Sequence, residues 1–277
     1  MATGLAISSV GAMVHAESSS ARTIAVNPTA IGNFCAMGVV VESATAGHAP
    51  SAVSGGNCTG LSGSGGWTLI GATTGLTSTS ATFQLSLWAG RASATGSTNA
   101  TVTSSAPGGT WLDLDMQQWT CAGVSAATSW TQDGAGATRI NGTASSNALW
   151  PSLTPANTNS MYYGFVFPAG HAAATGQTAG YTIAVDSIFN AIMWDTSVTG
   201  VQSPTSANTA SIKSSTLAGL ITATNPAAAT GKFLPFFQAP GHHEDELERR
   251  PSGLYVQRLG RRVFGYRAPA TLVKAGR

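Results

Sequence analysis

Charge is what this chain has least of. Only 9% of its 277 residues are Asp, Glu, Lys or Arg, against roughly a quarter in ordinary globular domains. Disorder driven by charge is excluded, because 43% of the residues are hydrophobic, enough to bury a core. Cysteine is scarce as well, with three residues, Cys35, Cys58 and Cys121. That is too few for a disulfide framework, the odd count leaves at least one free thiol, and the spacing fits no zinc template. They read as small buried apolar residues. No apolar run approaches the roughly 18 residues that span a bilayer, so no membrane partner is expected. Heptads are missing, which excludes a coiled coil, and the 33 glycines have no period of three, which excludes a collagen-like chain. Val14-His15-Ala16 before Glu17 has the outline of a signal-peptidase site. A basic flank is lacking, and Ser8, Ser9 and Gly11 interrupt the apolar stretch, so a cleaved leader is not expected.

The few charges are unevenly spread. Residues 1–238 carry five basic and seven acidic side chains, and residues 239–277 carry eight basic and four acidic ones. The larger part is nearly neutral and offers nucleic acid no electrostatic footprint. Composition also changes abruptly after Gln238. The expected organisation is a β domain over 1–238 and a basic amphipathic C-terminal arm over 239–277.

What is present is small and hydroxyl-rich: Ala, Gly, Ser and Thr make up about half the chain. Short β-prone runs alternate with Gly/Ser/Thr/Asn/Pro clusters. Thr23 to Val26 predicts a strand that Asn27-Pro28 stops, since proline removes a ladder donor. Phe34 to Glu42, continuous and valine-rich, predicts a strand covered on both faces. Residues 43–66 read as a long polar loop with glycine turns, followed by a strand at Trp67 to Ile70. Period two marks Phe83, Leu85 and Leu87, and again Leu112, Leu114 and Met116. Further strands are expected around Ala100 and Val102, at Met161 to Phe167, Tyr181 to Val185, Ile221 to Thr224 and Lys232 to Phe237. Ser187 to Trp194 fits either a strand or a short helix. No long helix is expected before residue 239. The spacing suits an all-β, antiparallel β-sandwich of jelly-roll-like type with a short charged C-terminal extension. A hydroxyl-rich, nearly uncharged surface lacks self-repulsion, which eases assembly into a larger object.

In the arm, His242 to Arg250 places acids before bases, as a short helix favours, with Pro251 as its stop. Beyond it, apolar and aromatic residues alternate with arginines. Arg258, Arg261, Arg262, Phe264, Tyr266 and Arg267 are the candidate partner-docking residues, with a neighbouring protein preferred over nucleic acid as the partner.

Catalytic patterns are absent. Gly60-Leu61-Ser62-Gly63-Ser64 misses the last glycine of a nucleophile elbow, and Gly231-Lys232 is followed by Phe233, not by the hydroxyl residue of a phosphate loop. His15, His48 and His171 lie far apart and read as solvated. Asp113 and Asp115 share one face of a strand, at a spacing of about 6 to 7 Å. That permits glycosidase chemistry or calcium binding, but the expected reading is a pair facing solvent opposite Leu112 and Leu114. The seven tryptophans read as core or subunit contacts, although tryptophan can also stack on sugars. No catalytic residue, cofactor or metal is expected, and His242-His243-Glu244-Asp245 reads as an exposed turn.

Several short motifs occur together in order. They are Val26-Asn27-Pro28, Gly32-Asn33, Val53-Ser54-Gly55-Gly56 with Trp67-Thr68, Leu87-Trp88-Ala89-Gly90-Arg91 and Cys121-Ala122-Gly123-Val124. Over residues 20–238 this order resembles a β-sandwich module of minor tail proteins from phages infecting actinobacteria. The resemblance implies a virion structural protein: a minor tail or tail-appendage subunit, homo-oligomeric, bound to other virion proteins and contacting the host surface, including its glycans. The alternatives are a capsid decoration protein anchored by its C-terminal arm, or a carbohydrate-binding module.

Overall fold

The computed structural model describes residues 4–18, 23–43, 50–77, 82–104, 111–169, 174–175 and 177–225, and strand segments within 234–267. Contacts divide the chain into two units, Met1–Pro226 and Ala227–Arg277.

The first unit comprises β1 (Ile7–Ser18), β2 (Thr23–Val26), β3 (Phe34–Ser43), β4 (Pro50–Gly55), β5 (Cys58–Thr59), β6 (Thr68–Thr77), β7 (Thr82–Ala92) and β8 (Thr98–Ser104). It continues with β9 (Trp111–Cys121), β10 (Ser129–Gln132), β11 (Ala137–Leu149), β12 (Ser160–Ala169), β13 (Ala174–Thr175), β14 (Thr182–Val185), β15 (Ala191–Val198) and β16 (Thr205–Thr224). Among the described residues there is no helix. One sheet runs β1-β9-β3-β7-β5, with β6 also on β7. A second runs β10-β16-β12-β15-β14, with β11 and β13 also on β16. A small third sheet is β2-β8-β4. All the pairings are antiparallel. The unit is an antiparallel β-sandwich.

Strand periodicity sorts the core into layers. Between the two large sheets lie Phe34, Ala36, Val40, Leu85, Leu87 and Trp119 from the first and Met161, Tyr163, Phe165, Ile192 and Leu217 from the second. The alternate residues Cys35, Met37, Val39 and Val41 point the other way, against Ile24, Val26, Val53, Ala100 and Val102 of the small sheet. This is why β3 reads as one unbroken apolar run: successive side chains leave opposite faces, and both faces are covered. The outer face of the second sheet packs Tyr162, Met193 and Leu220 with Trp150 and Tyr181 from its loops. Phe34 anchors the interior, with ring centroids 5.5 Å from Trp119, 5.2 Å from Trp130 and 5.1 Å from Tyr163. At Gly38 the sheets meet closely: a Cβ there would lie 2.2 Å from the Phe165 ring.

Several expectations need correction. The loop expected over 43–66 contains β4 and β5, because Val53 and Cys58 are buried against the small-sheet core. Strand β1 was not among the expected strands; it pairs with β9. Ser187–Trp194 holds no helix; a turn leads into β15. β11 and most of the 20-residue β16 lacked an apolar rhythm and were not expected.

In the second unit, β17 (Leu234–Phe236), β18 (Glu248–Arg249), β19 (Leu254–Leu259) and β20 (Arg262–Arg267) form a sheet in the order β17-β20-β19-β18. The Lys232–Phe237 strand read as closing the β domain thus pairs, at 234–236, with β20. The helix expected over 242–250 is not formed at Glu248–Arg249, which ladder onto β19; residues 242–247 lie outside the described residues.

Candidate functional site

Asp113 and Asp115 stand opposite Leu112 and Leu114 on β9, as the alternation requires, but neither faces solvent. They are 2% and 0% exposed. The reason is the position of β9, flanked by β1 and β3. Its Leu112, Leu114 and Met116 face the small sheet, while Trp119 and Cys121 lie between the large sheets. Asp113, Asp115 and Gln117 share that inner register.

The cross-strand register then places His15 opposite Asp115, and Glu17 opposite Asp113. His15 Nδ1 is 2.9 Å from Asp115 Oδ1. A third group arrives from the second sheet. Asp186 follows β14, and its Oδ1 accepts hydrogen bonds from the amides of Ile188 and Asn190, both at 2.8 Å. This local turn fixes the carboxylate and aims Oδ2 at His15 Nδ1, 3.1 Å away. His15, expected to be a solvated loop residue, is instead the hub between two carboxylates from two sheets.

The electrostatics follow from burial. Burial pushes the Asp113 carboxyl up to about 6, against a hydrogen bond from Trp111. Trp111 Nε1 donates that bond to Asp113 Oδ1 at 2.6 Å. Burial raises Asp115 to about 7, while the bond to His15 opposes the rise. The His15 imidazole is raised above its ordinary value, chiefly by its hydrogen bond to Asp115. One nitrogen of His15 and one carboxylate oxygen each of Asp115 and Asp186 lie within 4.8 Å of one another, a donor set able to hold a metal ion or a shared proton.

Three thiols stay free and buried. The Cys35 thiol is raised well above its ordinary range, first by its hydrogen bond with Cys58 and then by burial. Six of the seven tryptophans are buried, and only Trp111 is exposed. Among the described residues no row of exposed tryptophans forms a sugar platform.

Of the docking residues, Arg258 lies on β19, and Arg262, Phe264, Tyr266 and Arg267 lie on β20, the two strands forming one hairpin. Arg261 lies outside the described residues. A surface feature missed in the sequence is β11. It pairs with β16 on one side, and among the described residues no strand pairs with its other side. Of its 13 residues only Ala148 is buried. Arg139 is its only charge, and Ile140 and Leu149 are exposed.

No family model, curated protein or solved structure matches the chain.

Proposed function

We propose that this chain is a non-catalytic structural subunit of a virion, a minor tail or tail-appendage protein whose copies join through the open edge of β11. The edge is the observation that carries the assembly reading. An unpaired strand presents a row of free N–H and C=O groups, and proteins that stay apart block such edges with lysine, proline or inward charge. β11 has no lysine and no proline. Two register shifts bend it beyond Asn141, which leaves Ala137–Asn141 as the regular stretch. Antiparallel pairing of this stretch with a second copy is isologous and closes at a dimer. The nearly uncharged, hydroxyl-rich surface supports the same reading, and the motif order over residues 20–238 supports the virion assignment.

Two measurements test it. Light scattering on the purified chain is expected to give twice 27.9 kDa, with Ile140→Lys reverting to a folded monomer. A monomeric wild type, or a dimer indifferent to Ile140→Lys, overturns the edge. Gold-labelled antibody imaging of purified phage particles is expected to mark the tail. Label spread over the head would replace this role with capsid decoration, and unlabelled particles would refute both.

A further inference from the structure

Orphaned polar atoms gather at one place in this sandwich. Within the described residues, the buried side-chain atoms with no hydrogen-bond partner include His15 Nε2, Asp115 Oδ2 and both amide atoms of Asn190. The Asp115 and Asp186 side chains are 0% exposed, and Asn190 is equally buried. Asn190 is tied to the same turn, through its amide bond to Asp186 Oδ1. Buried polar atoms are normally satisfied, and a cluster that is not points to a missing ion or water.

Charge makes the same demand. Asp113, Asp115 and Asp186 bring three carboxylates toward a single imidazole. The ion pairs among the described residues involve only His15, with Asp115 and Asp186, so no Lys or Arg offsets the carboxylates. Burying carboxylates without cations is expensive. A single proton on Nδ1 lies along one of its two contacts and cannot serve both acids equally.

We propose that His15 Nδ1, Asp115 and Asp186 ligate a divalent first-row metal ion of the Zn²⁺ class, which joins the two large sheets. The spacings suit it. Ligands about 2.1 Å from a metal lie about 3.0 Å apart at right angles and about 3.4 Å apart in a tetrahedron. The nitrogen stands 2.9 and 3.1 Å from the two carboxylate oxygens. The imidazole selects against Ca²⁺ and Mg²⁺, which take oxygen ligands, and the absence of a thiolate leaves Zn²⁺, Mn²⁺ or Co²⁺. His15 and Asp115 come from neighbouring strands of one sheet, and Asp186 from a turn of the other, so the ion acts as an inter-sheet clip.

The test uses the full chain, stripped with chelator and titrated with Zn²⁺ by calorimetry at pH 7.5, with melting temperature followed in parallel. Asp186→Asn is the informative variant, because Asn can still accept the two turn amides through its side-chain oxygen. The expected result is one tight equivalent that raises the melting temperature. Affinity should fall at least tenfold in folded Asp186→Asn and in His15→Gln, and should not change in the double variant His242→Ala/His243→Ala. The Co²⁺-loaded protein should show an absorption spectrum that is lost in His15→Gln. The proposal is overturned by absence of saturable Zn²⁺ binding to folded wild type. It is also overturned by Zn²⁺ binding that depends on His242 and His243, or by a site that takes Ca²⁺ in preference to Zn²⁺.

Discussion

Replacing Gly38 with alanine tests whether the two sheets are held at the separation their packing demands. Gly38 sits on the inner register of β3, between Ala36 and Val40, which lie in the inter-sheet core. An added Cβ would meet Phe165 Cδ2 at 2.2 Å and Cγ at 2.3 Å. Carbon atoms rest at about 3.5 Å or more, so the ring or the strand must move by more than about 1 Å. The Phe165 ring belongs to a fully buried side chain, so neither movement is cheap. Overpacking of this kind costs about 1–3 kcal/mol. Alanine returns about 0.5–1 kcal/mol through strand propensity and reduced freedom of the unfolded chain. The expected net loss is therefore about 1 kcal/mol, or a melting temperature lower by about 2–4 °C for a unit of this size. Phe165→Leu alone opens space and costs about 1–2 kcal/mol. In the double variant the leucine makes room for the new methyl, so the two losses should fall short of additivity by about 1 kcal/mol. Calorimetric melts of the four proteins decide the matter. A neutral Gly38→Ala, or strictly additive losses, would show that Phe165 does not close the gap.

In metal-free protein, Asp113 and Asp115 have pKa values near 6 and 7, above the ordinary 3.8, so the fold favours their protonated forms. Their stabilising effect is full below about pH 4 and is lost as pH rises through 6 to 7. For Asp113 this loss is on the order of 3 kcal/mol. Chemical denaturation of chelator-treated protein between pH 4 and 8 should show stability falling up to about pH 7 and levelling beyond it, and a rise between pH 4 and 7 would contradict the burial of these acids. Trp130 Nε1 donates to the Gly32 carbonyl at 2.6 Å inside the core. Trp130→Phe should cost about 1–3 kcal/mol in urea unfolding, since it strands that carbonyl; an unchanged midpoint would mean that water replaces the bond. Asp133 accepts from the Ala156 and Asn157 amides, Asn157 Nδ2 and Ser160 Oγ. Asp133→Ala should lower stability by about 2–4 kcal/mol and expose the 154–160 segment to proteolysis, and equal protease resistance would argue against Asp133 as the organiser of that segment.

Strands that carry Val, Leu or aromatic residues were legible because their burial is written in period two. Phe34 to Glu42, Met161 to Phe167 and the Leu112-Leu114-Met116 series all reappear as β3, β12 and β9. β11 and the first half of β16 were not legible, because Ala, Ser, Thr and Asn on a ribbon open to water leave no hydrophobic alternation. The inner placement of Asp113 and Asp115 was hidden for a different reason. Alternation tells which residues share a face, not which face the rest of the fold will cover. That depends on β1 and on the β14–β15 turn, about 100 residues before Asp115 and 70 after it. Asp186 carried no sequence signal at all, although the valine before it and the Ser-Ile-Phe-Asn turn after it are consistent with its local cap. His15 was equally silent, since only the register of β1 on β9 sets it opposite Asp115.

The two open sides of the sandwich are treated differently, and this links the buried cluster to the exposed edge. On one side β1 and β14 end their sheets. There the inner register of β9 changes from Trp119 to Gln117, Asp115 and Asp113 as the core gives way to the cluster around His15. β1 also breaks register between Val10 and Val14, a bulge of the kind that blunts an edge. A cation drawn in by three carboxylates would lock that side shut. On the other side β6 lies against β11 and β16, and the outermost strand, β11, has neither a charge cluster nor a lysine. With the metal in place, β11 is the edge strand that this reading has the sandwich offer a neighbour. Assembly through β11 alone should therefore stop at a pair, and a larger particle needs further contacts, for which the arginine- and aromatic-bearing β19–β20 hairpin is one element. Loss of metal should then weaken the inter-sheet clip without dissociating the β11 pair, whereas Ile140→Lys should dissociate the pair without altering Zn²⁺ affinity. If either change produced both effects, the two edges would not be independent.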